Sequence, residues 1–125
     1  MTLLELTVVI LVLMSLITIM FIASRAWKAG ADRATCIMHI HSVQKGVRGY
    51  SYMYGFEPGE TAPGLLGQVI GYGKFVEATP VCNANGTYSF GADLGEDIIP
   101  PVGSIYMQCS LADSRNHKPQ EHADW

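Results

Sequence analysis

Three cysteines and four histidines carry most of the chemical potential of this chain. Cys82 and Cys109 lie in its glycine-rich second half, each near the edge of a candidate strand, and are expected to form a disulfide. Such a bridge would close a loop of about 28 residues and contribute ~3 kcal/mol in the chain-entropy model. A rival reading takes Cys82, Cys109 and His117, with His122 as a further donor, as soft ligands for a metal. No Cys-x-x-Cys spacing accompanies them, so the sequence favours the disulfide and assigns no metal and no cofactor. Cys36 is the cysteine left over, and on a buried helical face a free thiol acts as a small apolar residue. His39 and His41 are two residues apart on one helix and point to different faces, which is poor chelating geometry; packing or solvation is expected for both.

Glu5 is the other residue that asks for an explanation. It is followed by nineteen uncharged residues, Leu6 to Ser24. As a helix that run would be about 28 Å long, close to the ~30 Å hydrocarbon core of a bilayer. An unpaired carboxylate at the tip of such a segment costs at least a few kcal/mol on insertion. The nearest cation is the α-amino group of Met1, about one helical turn away at the positive end of the macrodipole. In a stack of parallel helices, Glu5 of one copy could instead neutralise the amine of a neighbour. The plainer alternative is a first-turn acid at headgroup level.

Catalysis finds no foothold: the chain lacks a nucleophile elbow, a phosphate-cradling glycine loop and a helix with two histidines four apart. Glu57, Glu60, Glu77, Glu96 and Asp97 give no spacing that singles out an acid and base pair, so no enzyme is expected. A net charge of −3 argues against nucleic acid as a partner, since binding it requires a basic surface. Asn85-Gly86-Thr87 matches a glycosylation acceptor on a turn, a pattern frequent by chance.

The elements that position these residues follow from periodicity. Cys36, Ile40, Val43, Val47, Tyr50 and Tyr54 advance by four, three, four, three and four residues, a helical stripe. Arg33, just ahead of the stripe, and Lys45 and Arg48 within it are free to face water, and Gly46 and Gly49 weaken the helix by ~1 kcal/mol each. Gly55 supplies a C-terminal cap and Pro58 prevents resumption. Residues 1–25 therefore form an apolar helix, 26–54 continue it as an amphipathic one, and 55–125 form a small loop-rich region packed on the stripe. Within that region, Thr61 to Gly71 reads as a short helix presenting Leu65, Leu66, Val69 and Ile70, and Gly73 to Glu77 as a brief extended piece. Thr87–Phe90 and Ser104–Cys109 are the best strand candidates, giving an antiparallel sheet of two or three strands. The tail from Asp113 is polar and reads as a solvated end. The fold class is α+β, a long helix with a small β region.

Met1-Thr2-Leu3-Leu4-Glu5 followed by the long apolar run resembles the processed N-terminus of type IV pilins and of the pseudopilins of type II secretion systems. The likeness is strong over residues 1 to about 54; beyond them only size and layout are similar. It implies a precursor whose short basic leader is removed by a prepilin peptidase that also methylates the new N-terminus, which would be Met1. It further implies assembly residues Glu5 and Met1, and homopolymerisation through the apolar helix. The partners implied are further copies of the chain, the inner-membrane assembly machinery and, before assembly, the membrane. Many members carry a helix-breaking Gly and Pro in the apolar half, where this chain has Met14 and Ile22; a largely continuous helix is expected. Ser15, Thr18 and Ser24 can bond back to carbonyls and bend it only weakly. The resulting expectation is a structural filament subunit, of a type IV pilus or a type II secretion pseudopilus, resident in the inner membrane before it joins a surface or periplasm-spanning filament. The alternatives are a single-pass membrane-anchored binding domain and a minor tip pilin acting as an adhesin.

Overall fold

The computed structural model describes residues 2–91 and 93–125. The chain divides into two compact units, Met1–Ala31 and Asp32–Trp125. Helix α1, Leu3–Tyr54, supplies the whole regular structure of the first and one side of the second. It contains no proline and is continuous through Met14 and Ile22, as expected.

In the first unit every described residue from Thr2 to Gly30 is exposed. Leu, Ile, Val, Met and Phe cover all sides of the helix, with mean hydropathy of 2.9 in its most apolar window. The polar hydroxyls are consumed within the helix. Ser15 donates to the Val12 carbonyl at 2.8 Å, Thr18 to Met14 at 2.8 Å and Ser24 to Phe21 at 3.0 Å. A helix of this length and composition can cross a membrane.

In the second unit the expected stripe is the core. Cys36, Ile40, Val43, Val47 and Tyr50 are buried, while Tyr54, the last member of the series, is exposed. Its ring instead stacks beside Tyr50 with centroids 4.6 Å apart. Gly55 adopts φ 75° and ends the helix, and the Phe56 N–H returns to the Ser51 carbonyl at 3.0 Å. This six-to-one closure satisfies an orphan carbonyl, and Phe56 stacks on Tyr50 at 5.8 Å as its hydrophobic partner.

The rest of the unit leans on that face. Helix α2 is Leu65–Val69, shorter than expected because Gly64 at φ 71° breaks the chain just before it; Leu65 and Val69 are buried. Gly46 and Gly49 are where α2 and its following loop come closest to α1: a Cβ on Gly46 would sit 2.9 Å from Val69 Cγ1, and one on Gly49 the same distance from Phe75 Cε1. The glycines that weaken the helix intrinsically are thus the ones that admit its neighbours. Strands β1, Tyr88–Phe90, and β2, Met107–Cys109, pair antiparallel with Tyr88 opposite Cys109 and Phe90 opposite Met107. Each lies within one of the two expected strands.

Polar side chains of α1 then bind loop backbone. Gln44 is buried and acts as a surrogate strand residue: its Nε2 donates to the Ser104 carbonyl at 3.0 Å and its Oε1 accepts from the Tyr106 N–H at 2.9 Å. Arg48, expected to face water, donates to the backbone oxygens of Pro100, Pro101 and Trp125. Arg33 donates to the Asn116 carbonyl at 2.8 Å. The C-terminal segment is therefore not the solvated end its charges suggest, since His117 and Pro119 are buried and Trp125 packs beside His41 at 4.6 Å. Gln44→Leu keeps the volume but strands two backbone groups at ~1–3 kcal/mol each. Thermal or denaturant unfolding is expected to show a loss of ~2–6 kcal/mol, with membrane insertion of the apolar helix unchanged.

Candidate functional site

Four side chains from four separate stretches converge at the end of the sheet. Cys36 comes from α1, Cys82 from the turn ahead of β1, Cys109 from the last residue of β2, and His117 from the segment after it. All four are buried, and one ligand atom of each lies within 4.8 Å of the others. The Cys82 and Cys109 sulfurs are 3.8 Å apart, and Cys82 Sγ is 3.7 Å from His117 Nδ1.

Local sequence explains each placement. Cys36 is on the stripe, so burying the stripe buries its sulfur. After Cys82, the Asn83-Ala84-Asn85-Gly86 turn closes when the Asn85 N–H bonds the Cys82 carbonyl at 3.2 Å, with Asn85 at φ 63°. Asn tolerates that left-handed conformation better than most residues. The turn aims the N–H groups of Ala84 and Gly86 at Cys82 Sγ. Burial raises the pKa of this thiol, but the two backbone donors and the neighbouring thiols outweigh it, and the net shift is downward. Gly86 lies against the sulfurs: a Cβ there would be 2.9 Å from Cys109 Sγ and 3.1 Å from Cys82 Sγ. Beyond Cys109, a tight reversal in which Ala112 N–H bonds the Cys109 carbonyl and His117 N–H bonds the Leu111 carbonyl folds the imidazole back onto the sulfurs.

A second layer surrounds Cys36. Burial pushes its thiol up to about 12, opposed by a hydrogen bond from Tyr88. The Tyr88 hydroxyl is also 3.1 Å from His39 Nδ1, and burial raises the phenol's own pKa. His39 thus has a partner in the second layer, while His41 packs on Trp125. His122, a candidate ligand by residue type, is turned away: its Nδ1 is 2.8 Å from the Gly103 carbonyl. Cys36, a packing residue by its position on the stripe, takes the place in the cluster expected of His122. Cys82 and Cys109 are brought together, with their sulfurs unbonded and 3.8 Å apart.

At the other end of the chain, Thr2 and Glu5 form a reciprocal cap on α1. The Thr2 N–H donates to Glu5 Oε2 at 3.1 Å, and the Glu5 N–H donates to Thr2 Oγ1 at 3.3 Å. The Thr-x-x-Glu signature of a capping box stands in the sequence at Thr2-Leu3-Leu4-Glu5, and it accounts for an acid at this position within one chain. Met1, the expected ion partner and methylation site, lies outside the described residues.

The close approach of Gly86 to two sulfurs sets a local test. Gly86→Ala is expected to destabilise the second unit by ~1–3 kcal/mol through overpacking. Gly67→Ala, whose Cβ would meet nothing within 4 Å, is expected to be neutral or stabilising by up to ~1 kcal/mol. Paired unfolding curves check both.

Comparison with protein-family models, with curated proteins and with solved structures gives no match for this chain.

Proposed function

We propose that this chain is a pilin-like structural subunit that polymerises through its N-terminal helix into a helical filament, either a type IV pilus or the pseudopilus of a type II secretion system. The observation that carries the reading is the exposed apolar circumference of α1 from Leu3 to Ile22, with its hydroxyls bonded back to the helix. A surface of this kind needs lipid or other helices around it on every side. Before assembly the membrane fills that role. In the filament, helices of other copies replace lipid, and many modest contacts per subunit sum to a stable polymer. No catalytic step is involved.

Glu5 has two duties in this reading. It caps its own helix through Thr2, and its charge sets axial register by neutralising the amine of a neighbouring copy. An offset would leave both charges buried and unpaired, at a cost of several kcal/mol. A single-pass anchor carrying a binding domain is the second reading, and the capping box favours it to the extent that the cap alone explains the acid.

The two duties separate experimentally. Glu5→Gln keeps a capping side chain but removes the charge, and is expected to lower filament yield at least ~10-fold while membrane insertion stays normal. Thr2→Ala removes the cap, keeps the charge, and is expected to assemble. Filaments of normal abundance from the Gln variant would remove the register role and leave the anchor reading.

A further inference from the structure

We propose that Cys36, Cys82, Cys109 and His117 form a structural zinc site of the three-sulfur, one-nitrogen kind. Its existence is independent of whether the chain polymerises.

Geometry carries it. A tetrahedral zinc with bonds of ~2.3 Å to sulfur and ~2.0–2.1 Å to nitrogen has ligand atoms separated by ~3.5–3.8 Å along its edges. The Cys82 Sγ to Cys109 Sγ distance is 3.8 Å and the Cys82 Sγ to His117 Nδ1 distance is 3.7 Å. All four ligand atoms fall within 4.8 Å of one another, so closing the set on an ion requires only small side-chain shifts. Donor chemistry selects the ion: three thiolates and an imidazole in tetrahedral array suit zinc and disfavour magnesium or calcium, which take oxygen. Four protein ligands leave no open position, which marks the site as structural rather than catalytic.

The surroundings fit a bound ion better than a disulfide. Zinc with three thiolates carries a net negative charge, and buried thiolates need donors. The N–H groups of Ala84 and Gly86 supply them at Cys82, and the Tyr88 hydroxyl supplies one at Cys36. His39 in turn orients Tyr88 at 3.1 Å. A Cys82–Cys109 bridge would use two of the four groups and leave a buried thiol and a buried imidazole with no purpose in common. A cleft of about 380 Å³, lined in part by Cys109, His117 and Lys118, gives an entry path.

Loading converts thiols to thiolates. Zinc forms three bonds to sulfur and one to Nδ1, and the thiol protons leave to solvent, with no change of oxidation state. Because binding releases three thiol protons, apparent affinity rises steeply with pH. The site joins α1, the turn before β1, β2 and the segment after it, so its removal loosens the whole second unit.

The test uses the full chain in detergent, purified without reductant or chelator under nitrogen. Elemental analysis is expected to give one zinc per chain, and the intact mass of the stripped protein three reduced cysteines. Cobalt added to stripped protein is expected to give the intense visible bands of a tetrahedral site and a thiolate charge-transfer band. Cys36→Ala, which a Cys82–Cys109 disulfide would tolerate, is expected to lose stoichiometric zinc. Should that variant fail to fold, His117→Cys keeps four ligands and is expected to retain the metal while shifting the cobalt spectrum. Tyr88→Phe is expected to weaken zinc binding by about 10–100-fold. Freshly isolated protein with no zinc and a mass two hydrogens low, or stripped wild-type protein that gives no cobalt spectrum, overturns the proposal. So does a folded Cys36→Ala that carries as much zinc as the wild type.

Discussion

Burial of one face of α1 is the constraint on which the second unit depends. Strands β1 and β2 are three residues each and α2 is five, too short to hold one another in place. Cys36, Ile40, Val43, Val47 and Tyr50 give these pieces a common wall. Gly46 and Gly49 lower that wall where Val69 and Phe75 must approach it. Polar members of the helix add direct bonds to the chain that covers it. Gln44 completes the hydrogen bonding of the segment entering β2, and Arg48 gathers three loop and terminal carbonyls. A loop-rich region is thereby ordered mainly by side chains reaching its backbone.

The two units answer the same physical demand in opposite ways. From Asp32 onward, α1 is amphipathic and its apolar face is covered within the chain. Before that its apolar surface surrounds the helix and no described part of it is buried. The hydroxyls of Ser15, Thr18 and Ser24 bond to their own helix and place no polar demand on whatever surrounds it. That combination suits an apolar environment with no fixed polar partner, which lipid and a bundle of identical helices both provide.

Much of this is legible in the residues, and the exceptions have physical causes. The stripe, the glycine end of α1 and the positions of both strands follow from spacing and composition, because each is fixed by local periodicity or by one backbone conformation. Tyr54 departs from the stripe because α1 ends there, leaving its ring exposed beside Tyr50. Gln44 lies in register with the buried face, between Val43 and Val47, and is invisible to a periodicity counted on apolar types alone. Charge alone sends Arg48 to water, although three carbonyls can replace that water. The proximity of Cys82 and Cys109 follows from their strand edges, but the roles of Cys36 and His117 do not. The partners of Cys36 are 46 or more residues away in sequence, and only the fold supplies that proximity. The Thr2–Glu5 cap, by contrast, is fully encoded at a spacing of three, although the apolar run behind it draws attention to a longer-range ion pair instead.

The most direct measurement of the central claim is electron microscopy of the native protein recovered from its cells, combined with hydrogen exchange across α1. A filament subunit predicts ordered helical fibres in which backbone amides of residues 3–24 are protected beyond the level seen in detergent micelles. Dispersed single copies in native material, with equal protection of that segment in micelles and in the native state, would contradict it.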